Sequence, residues 1–192
     1  MPNPIWSAEY AFNQAPEANG FTRRESGSPV ITEQTSGTPA NRRVEINSDN
    51  GDAVWATTTV PALDPLVGTT TEFQTRVSGS GDAGVETTFL TFAVLCMVWE
   101  NMISVSQPRG DNGDPGGETE IATASNAVDT LVRFNFSPDR TVTVYRNGIE
   151  IHSFTANVIT KPFQRVLWWG EGGGTQVFNI FRYYNGGSVP PG

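Results

Sequence analysis

The chain has 192 residues, enough for one well-buried core, and 37% hydrophobic against 17% charged residues is the balance of a globular protein, not a disordered one. A formal net charge of −8 repels polyanions and excludes nucleic acid as the expected partner. No run approaches the ~18 apolar residues of a membrane-spanning helix, because the longest, Phe89 to Trp99, is broken by Thr91 and followed by Glu100.

In chain order, the start Met1-Pro2-Asn3-Pro4-Ile5-Trp6 lacks the basic and apolar regions of a secretory signal. This reads as a cytosolic start, with a removed leader, a virion or an extracellular surface left open as destinations. Runs of alternating or β-branched and aromatic residues then predict strands at Ile5 to Phe12, Pro29 to Gln34, Arg43 to Asn47, Ala53 to Val60 and Thr70 to Ser78. The pattern continues at Glu86 to Glu100, Met102 to Ser106, Glu118 to Ala124 and Leu131 to Ser137. It closes with Thr141 to Arg146, Ile149 to Thr155, Arg165 to Trp169 and Thr175 to Tyr184. Asn147-Gly148 supplies the two positive φ angles of a type I′ turn, so the adjoining runs form a hairpin, with Val142, Val144, Ile149 and Ile151 expected on its buried side. With helical periodicity nearly absent, the expected fold is all-β: a two-sheet antiparallel sandwich of jelly-roll type.

Residues 1–184 read as one sandwich domain and 185–192 as a Gly/Pro-rich tail. A tail of that composition orders only against a neighbour, which makes it the expected place for a contact with another subunit and raises homo-oligomerisation as an expectation. Cys96, the single cysteine, sits among Ala93, Val94, Leu95, Met97 and Val98 and behaves as a small structural hydrophobe.

Three stretches resemble the concanavalin A-like lectin and glucanase superfamily. They are the opening Trp6-Ser7-Ala8-Glu9-Tyr10-Ala11-Phe12 with Gly20-Phe21, the middle run Thr70 to Val77, and the closing order Tyr145 to Gly148, Leu167 to Gly170 and Phe178 to Tyr184. The resemblance implies a jelly-roll sandwich that binds or acts on carbohydrate, but such folds host many functions and the site has to be argued from residues. For a glycosidase, Glu118 and Glu120 would share a strand face at i, i+2, but Ile121 to Ala124 follow where the glucanases of the superfamily carry a third acid. For a lyase of this fold the chain offers fragments: Glu72 and Arg76 on one strand, Ile151-His152 after Glu150 where the family has glutamine, and Tyr183-Tyr184 without a nearby lysine. His152, alternating with Ile151, is expected to face away from the apolar side of its hairpin.

One histidine and one cysteine are too few for zinc ligand sets or a nucleophilic triad. The acidic turns carrying Asp49, Asp52, Asp111 and Asp114 offer oxygen ligands for a structural calcium, without EF-hand spacing. Trp168-Trp169 followed by Glu171 and a glycine run is the most unusual feature of the chain. Consecutive residues on a strand point to opposite faces, so one indole is expected in the core and the other free to stack on a sugar or a protein. Trp99 beside Glu100 is a second such platform. All twelve cationic residues but Lys161 are arginine, a side chain favoured at interfaces. The expected function is a non-catalytic recognition module, binding carbohydrate or docking as a structural protein on a multi-subunit particle such as a virion. A polysaccharide hydrolase or lyase is the alternative, and the partners are a glycan or protein subunits.

Overall fold

A computed structural model of the chain describes residues 8–10, 12–57, 68–89, 92–109, 114–155 and 163–185. Their strands are β1 (Ala8–Tyr10), β2 (Thr22–Gly27), β3 (Val30–Gln34), β4 (Arg43–Asn47), β5 (Gly51–Thr57), β6 (Thr69–Ser78), β7 (Asp82–Phe89) and β8 (Phe92–Val98). They continue with β9 (Met102–Arg109), β10 (Asp114–Ala122), β11 (Thr130–Phe136), β12 (Thr141–Arg146), β13 (Ile149–Thr155), β14 (Phe163–Glu171) and β15 (Thr175–Asn185). The helical segments among the described residues are two single 3-10 turns, Pro16–Asn19 and Pro39–Asn41. Among the described residues every strand pairing is antiparallel, and the strands form two sheets. One has eight strands in the order β13-β12-β11-β6-β15-β4-β3 with β1 also on β15, and the other has seven in the order β10-β9-β8-β7-β14-β5-β2. The fold is the expected antiparallel sandwich.

Period-two burial explains which residues lie between the sheets. Val44 and Ile46 of β4, and Val142 and Val144 of β12, are buried while their neighbours are not. At the centre, Trp55 of β5 and Trp168 of β14 are register partners whose rings stack at 4.3 Å with 5° between their planes. Phe12 and Phe21 meet Trp168 edge-on at 5.8 and 5.9 Å, and Phe178 of the facing sheet lies 5.0 Å away. Each such aromatic pair adds roughly 0.5–1.5 kcal/mol beyond the area it buries. Cys96 is buried, and desolvation pushes its thiol up to about 12, so it is an inert core residue at neutral pH.

Two sequence expectations are corrected. The run Glu86 to Glu100 is not one strand: β7 and β8 are antiparallel neighbours, with Phe89 opposite Phe92. In the β12–β13 hairpin, Asn147 (φ 48°) and Gly148 (φ 81°) make the turn, but Ile149 is 70% exposed. A bulge at Val144/Tyr145 shifts the register so that His152 pairs with the buried Val144.

Candidate functional site

Trp168 and Trp169 occupy consecutive positions of β14. Trp168 is 0% exposed inside the aromatic core, which removes it from any surface site. Trp169 is half-buried on the outer face of the seven-stranded sheet, paired with Val54 of β5 and Gly84 of β7. Its indole lies directly over Gly84: a Cβ at that position would fall 2.1 Å from the ring atom Cζ2. Only glycine lets the ring lie flat on the strand. The indole Nε1 donates to Asp82 Oδ1 at 3.1 Å, fixing the ring's rotation.

Two positions along β14, on the same face as Trp169, stands Glu171, the register partner of Asp82. Burial raises the Glu171 carboxyl above its ordinary range, the charge of Asp52 raises it further, and a hydrogen bond from Trp169 opposes both. The result is an aromatic surface with the carboxylates of Asp82, Glu171 and Asp52 gathered near its N–H edge. Asp82 and Gly84 were not among the sequence candidates, because their role depends on which strand lies beside β14.

The same end of the sandwich is built from turns that hold one another. In the turn Gly172 to Gly174, the three amides donate to Asp52 Oδ1 at 3.3 Å, Ser48 Oγ at 3.0 Å and Asp49 Oδ1 at 2.7 Å. Its three carbonyls accept from Ser80 Oγ at 3.0 Å, Gln176 Nε2 at 2.9 Å and the Ser48 amide at 2.9 Å. Asp49 and Asp52, read from sequence as calcium ligands, thus each commit an oxygen to a glycine amide. Asp111 and the side chain of Asp114 lie outside the described residues. Among the described residues no group of three His, Cys, Asp or Glu is arranged around a metal-sized space.

Trp99 and Glu100 occupy the β8–β9 turn, which is organised by the fully buried Asn126. Asn126 Nδ2 donates to the Trp99 carbonyl at 2.7 Å, and its backbone amide donates to the Glu100 carbonyl at 2.5 Å. Glu100 Oε2 accepts from the Gly79 amide at 3.1 Å. Gly79 in turn packs so closely on Gly174 that a Cβ would meet its Cα at 2.8 Å, which ties this turn to the glycine run after Glu171.

Of the catalytic fragments, Glu72 on β6 and Tyr183-Tyr184 on β15 lie on neighbouring strands, whereas those of β10 and β13 lie elsewhere. Glu120 is exposed on the edge strand β10, and the Glu118 side chain lies outside the described residues. His152 does not face outward as expected: its ring lies 5.8 Å from Phe154, and Nε2 is buried without a hydrogen-bond partner. Glu72 is joined not to Arg76, which pairs with Asp129 at 3.8 Å, but to Arg133 and Arg182 from the two neighbouring strands.

No protein-family model and no curated protein matches the sequence. Solved structures do resemble the fold. The globular domain of T. cruzi calreticulin is similar with a TM-score of 0.71 at 8% identity, over 94% of this chain and 88% of that one. The conserved carbohydrate esterase of Shiga toxin-encoding bacteriophage phi24B gives a TM-score of 0.62 at 11% identity, over 94% and 99%. A structure of botulinum neurotoxin type C, described as dependent for cell entry on two ganglioside molecules, gives 0.57 at 10% over 89% of this chain and 44% of that one. At such identities the likeness establishes the two-sheet antiparallel sandwich and nothing finer.

Proposed function

We propose that the chain is a non-catalytic carbohydrate-recognition module of concanavalin A-like type, with Trp169 as its stacking platform. The observation that carries this reading is the indole laid flat on Gly84 and locked by Asp82. A rigid aromatic face stacks on the apolar face of a sugar ring, and the neighbouring carboxylates of Asp82, Glu171 and Asp52 accept hydrogen bonds from its hydroxyls. The fold neighbours described by a ganglioside interaction and by carbohydrate esterase activity add support of a general kind. Docking on a virion or another particle rests on the tail, whose residues 186–192 lie outside the described set.

A glycan array followed by calorimetric titration tests the proposal. Wild type binds at least one neutral glycan and Trp169→Ala loses at least tenfold in affinity. Wild-type affinity in Trp169→Ala would overturn the proposal. The enzyme reading draws on the raised carboxyl of Glu171 beside a second acid, the pairing that glycoside hydrolysis needs. Turnover of the bound glycan by wild type and its loss in Glu171→Gln would replace recognition with catalysis.

A further inference from the structure

Trp169 has a counterpart on its own sheet face. Its register neighbour on β7 is Gly84, and Gly84 faces Met97 of β8, so Trp169, Gly84 and Met97 form one row across the sheet. Trp99 follows Met97 by two residues. Val98 between them is buried in the core, so strand alternation turns Trp99 outward with Met97. The Trp99 amide donates to the Met102 carbonyl at 2.9 Å, which carries the β8–β9 pairing one step past Val98. Trp99 is half-buried. Because it comes next in register after the pair Ala83–Val98, it stands beside Asp82. Asp82 is the residue that fixes the Trp169 indole, and on its other side it pairs with Glu171.

The geometry points to one extended binding line, from Trp169 past Asp82 to Trp99, that takes an internal stretch of a neutral, extended polysaccharide chain and not a lone terminal sugar. This rests on the reading of Trp169 as a sugar platform and adds to it a second platform and a chain length. The two tryptophans are two strands and two residues apart, which puts about 12 Å between their Cα atoms. Even with the Trp169 indole leaning over Gly84, one pyranose ring cannot stack on both indoles, whereas successive rings of a short chain can. The diagonal between the platforms runs over Gly84, which has no side chain, and Asp82, with Met97 on one side and Glu171 on the other. Apolar floor and hydroxyl-accepting carboxylates thus flank the same line. The charge of Asp52 already raises Glu171, so a sugar carrying its own carboxylate is disfavoured there. The second platform is anchored like the first: the Trp99 carbonyl accepts from Nδ2 of the fully buried Asn126 at 2.7 Å.

The test is a calorimetric titration with β-1,4-linked gluco- and manno-oligosaccharides, straight chains taken from the monosaccharide to the hexasaccharide. At least one series binds, its tetrasaccharide is held at least tenfold more tightly than its monosaccharide, and Trp99→Ala loses at least tenfold of that tetrasaccharide affinity. Should the variant fail to fold, ¹H–¹⁵N spectra of wild type decide: the tetrasaccharide shifts the indole N–H signals of both Trp99 and Trp169, and the monosaccharide leaves that of Trp99 in place. The inference is overturned if neither series binds, if affinity is the same at every length, if a folded Trp99→Ala binds as wild type does, or if the Trp99 indole stays unmoved. A glycan that needs Trp169 but binds without regard to length or to Trp99 would sink this inference and leave the recognition reading standing, whereas loss of all glycan binding on the array removes both.

Discussion

At the scale of single residues, the two adjacent tryptophans separate stability from recognition. Trp168→Ala removes a ring packed against Trp55, Phe12, Phe21 and Phe178 and is expected to cost ~3–5 kcal/mol in denaturant melts. Trp169→Ala should melt close to wild type while losing glycan binding, and equal losses of stability in the two variants would contradict the assignment of faces. Gly84→Ala places a methyl where the indole lies, so the ring must lift; the expected readout is a shifted tryptophan emission and weaker glycan binding in a protein that stays folded. Glu171 gives a pH dependence of definite sign. Its folded-state carboxyl is raised above the ordinary value of 4.5, so the fold disfavours the ionised form. The penalty is absent below 4.5, grows as the pH climbs from there to the raised value and is fully present above it. Glu171→Gln should therefore melt higher than wild type at pH 7, with the difference vanishing below pH 4.5; a difference constant with pH would count against it.

At the scale of elements, the sequence was informative wherever geometry is local. The Asn147-Gly148 turn and the opposite faces of Trp168 and Trp169 follow from rules spanning two to four residues, and both are found in the structure. What was hidden depends on strands meeting at long range. Asp82 and Trp169 are 87 positions apart, and Glu72 and Arg182 are 110 apart, so no window of sequence shows that either pair is in contact. The bulge at Val144/Tyr145 is the intermediate case. It is a local irregularity with a local effect, turning His152 toward Phe154 and leaving Ile149 outside, but it is stabilised by the pairing of the whole hairpin.

At the scale of the molecule, the alternation of strand and turn predicted the sandwich, while the order of strands in each sheet came only from the fold. That order explains why a run of three glycines, which in isolation has the composition of a flexible linker, behaves differently here. The β4–β5, β6–β7 and β14–β15 connections each cross from one sheet to the other at the same end. All six backbone groups of the glycine run in the third are hydrogen-bonded: four to side chains of Ser48, Asp49, Asp52 and Ser80 at the first two, one to the Ser48 backbone amide and one to the side chain of Gln176 on β15 itself. Its dynamics should match the strands: backbone order parameters of Gly172, Gly173 and Gly174 near 0.85, the value of a rigid backbone, and not below the 0.6 typical of a loose loop. A Ser48→Ala, Asp49→Ala double variant should release them to nanosecond motion. Because Trp169 stands three residues before this latch, a glycan would meet an already immobile surface and lose little protein entropy on binding, and loosening the latch should speed the ligand's departure more than it slows its arrival.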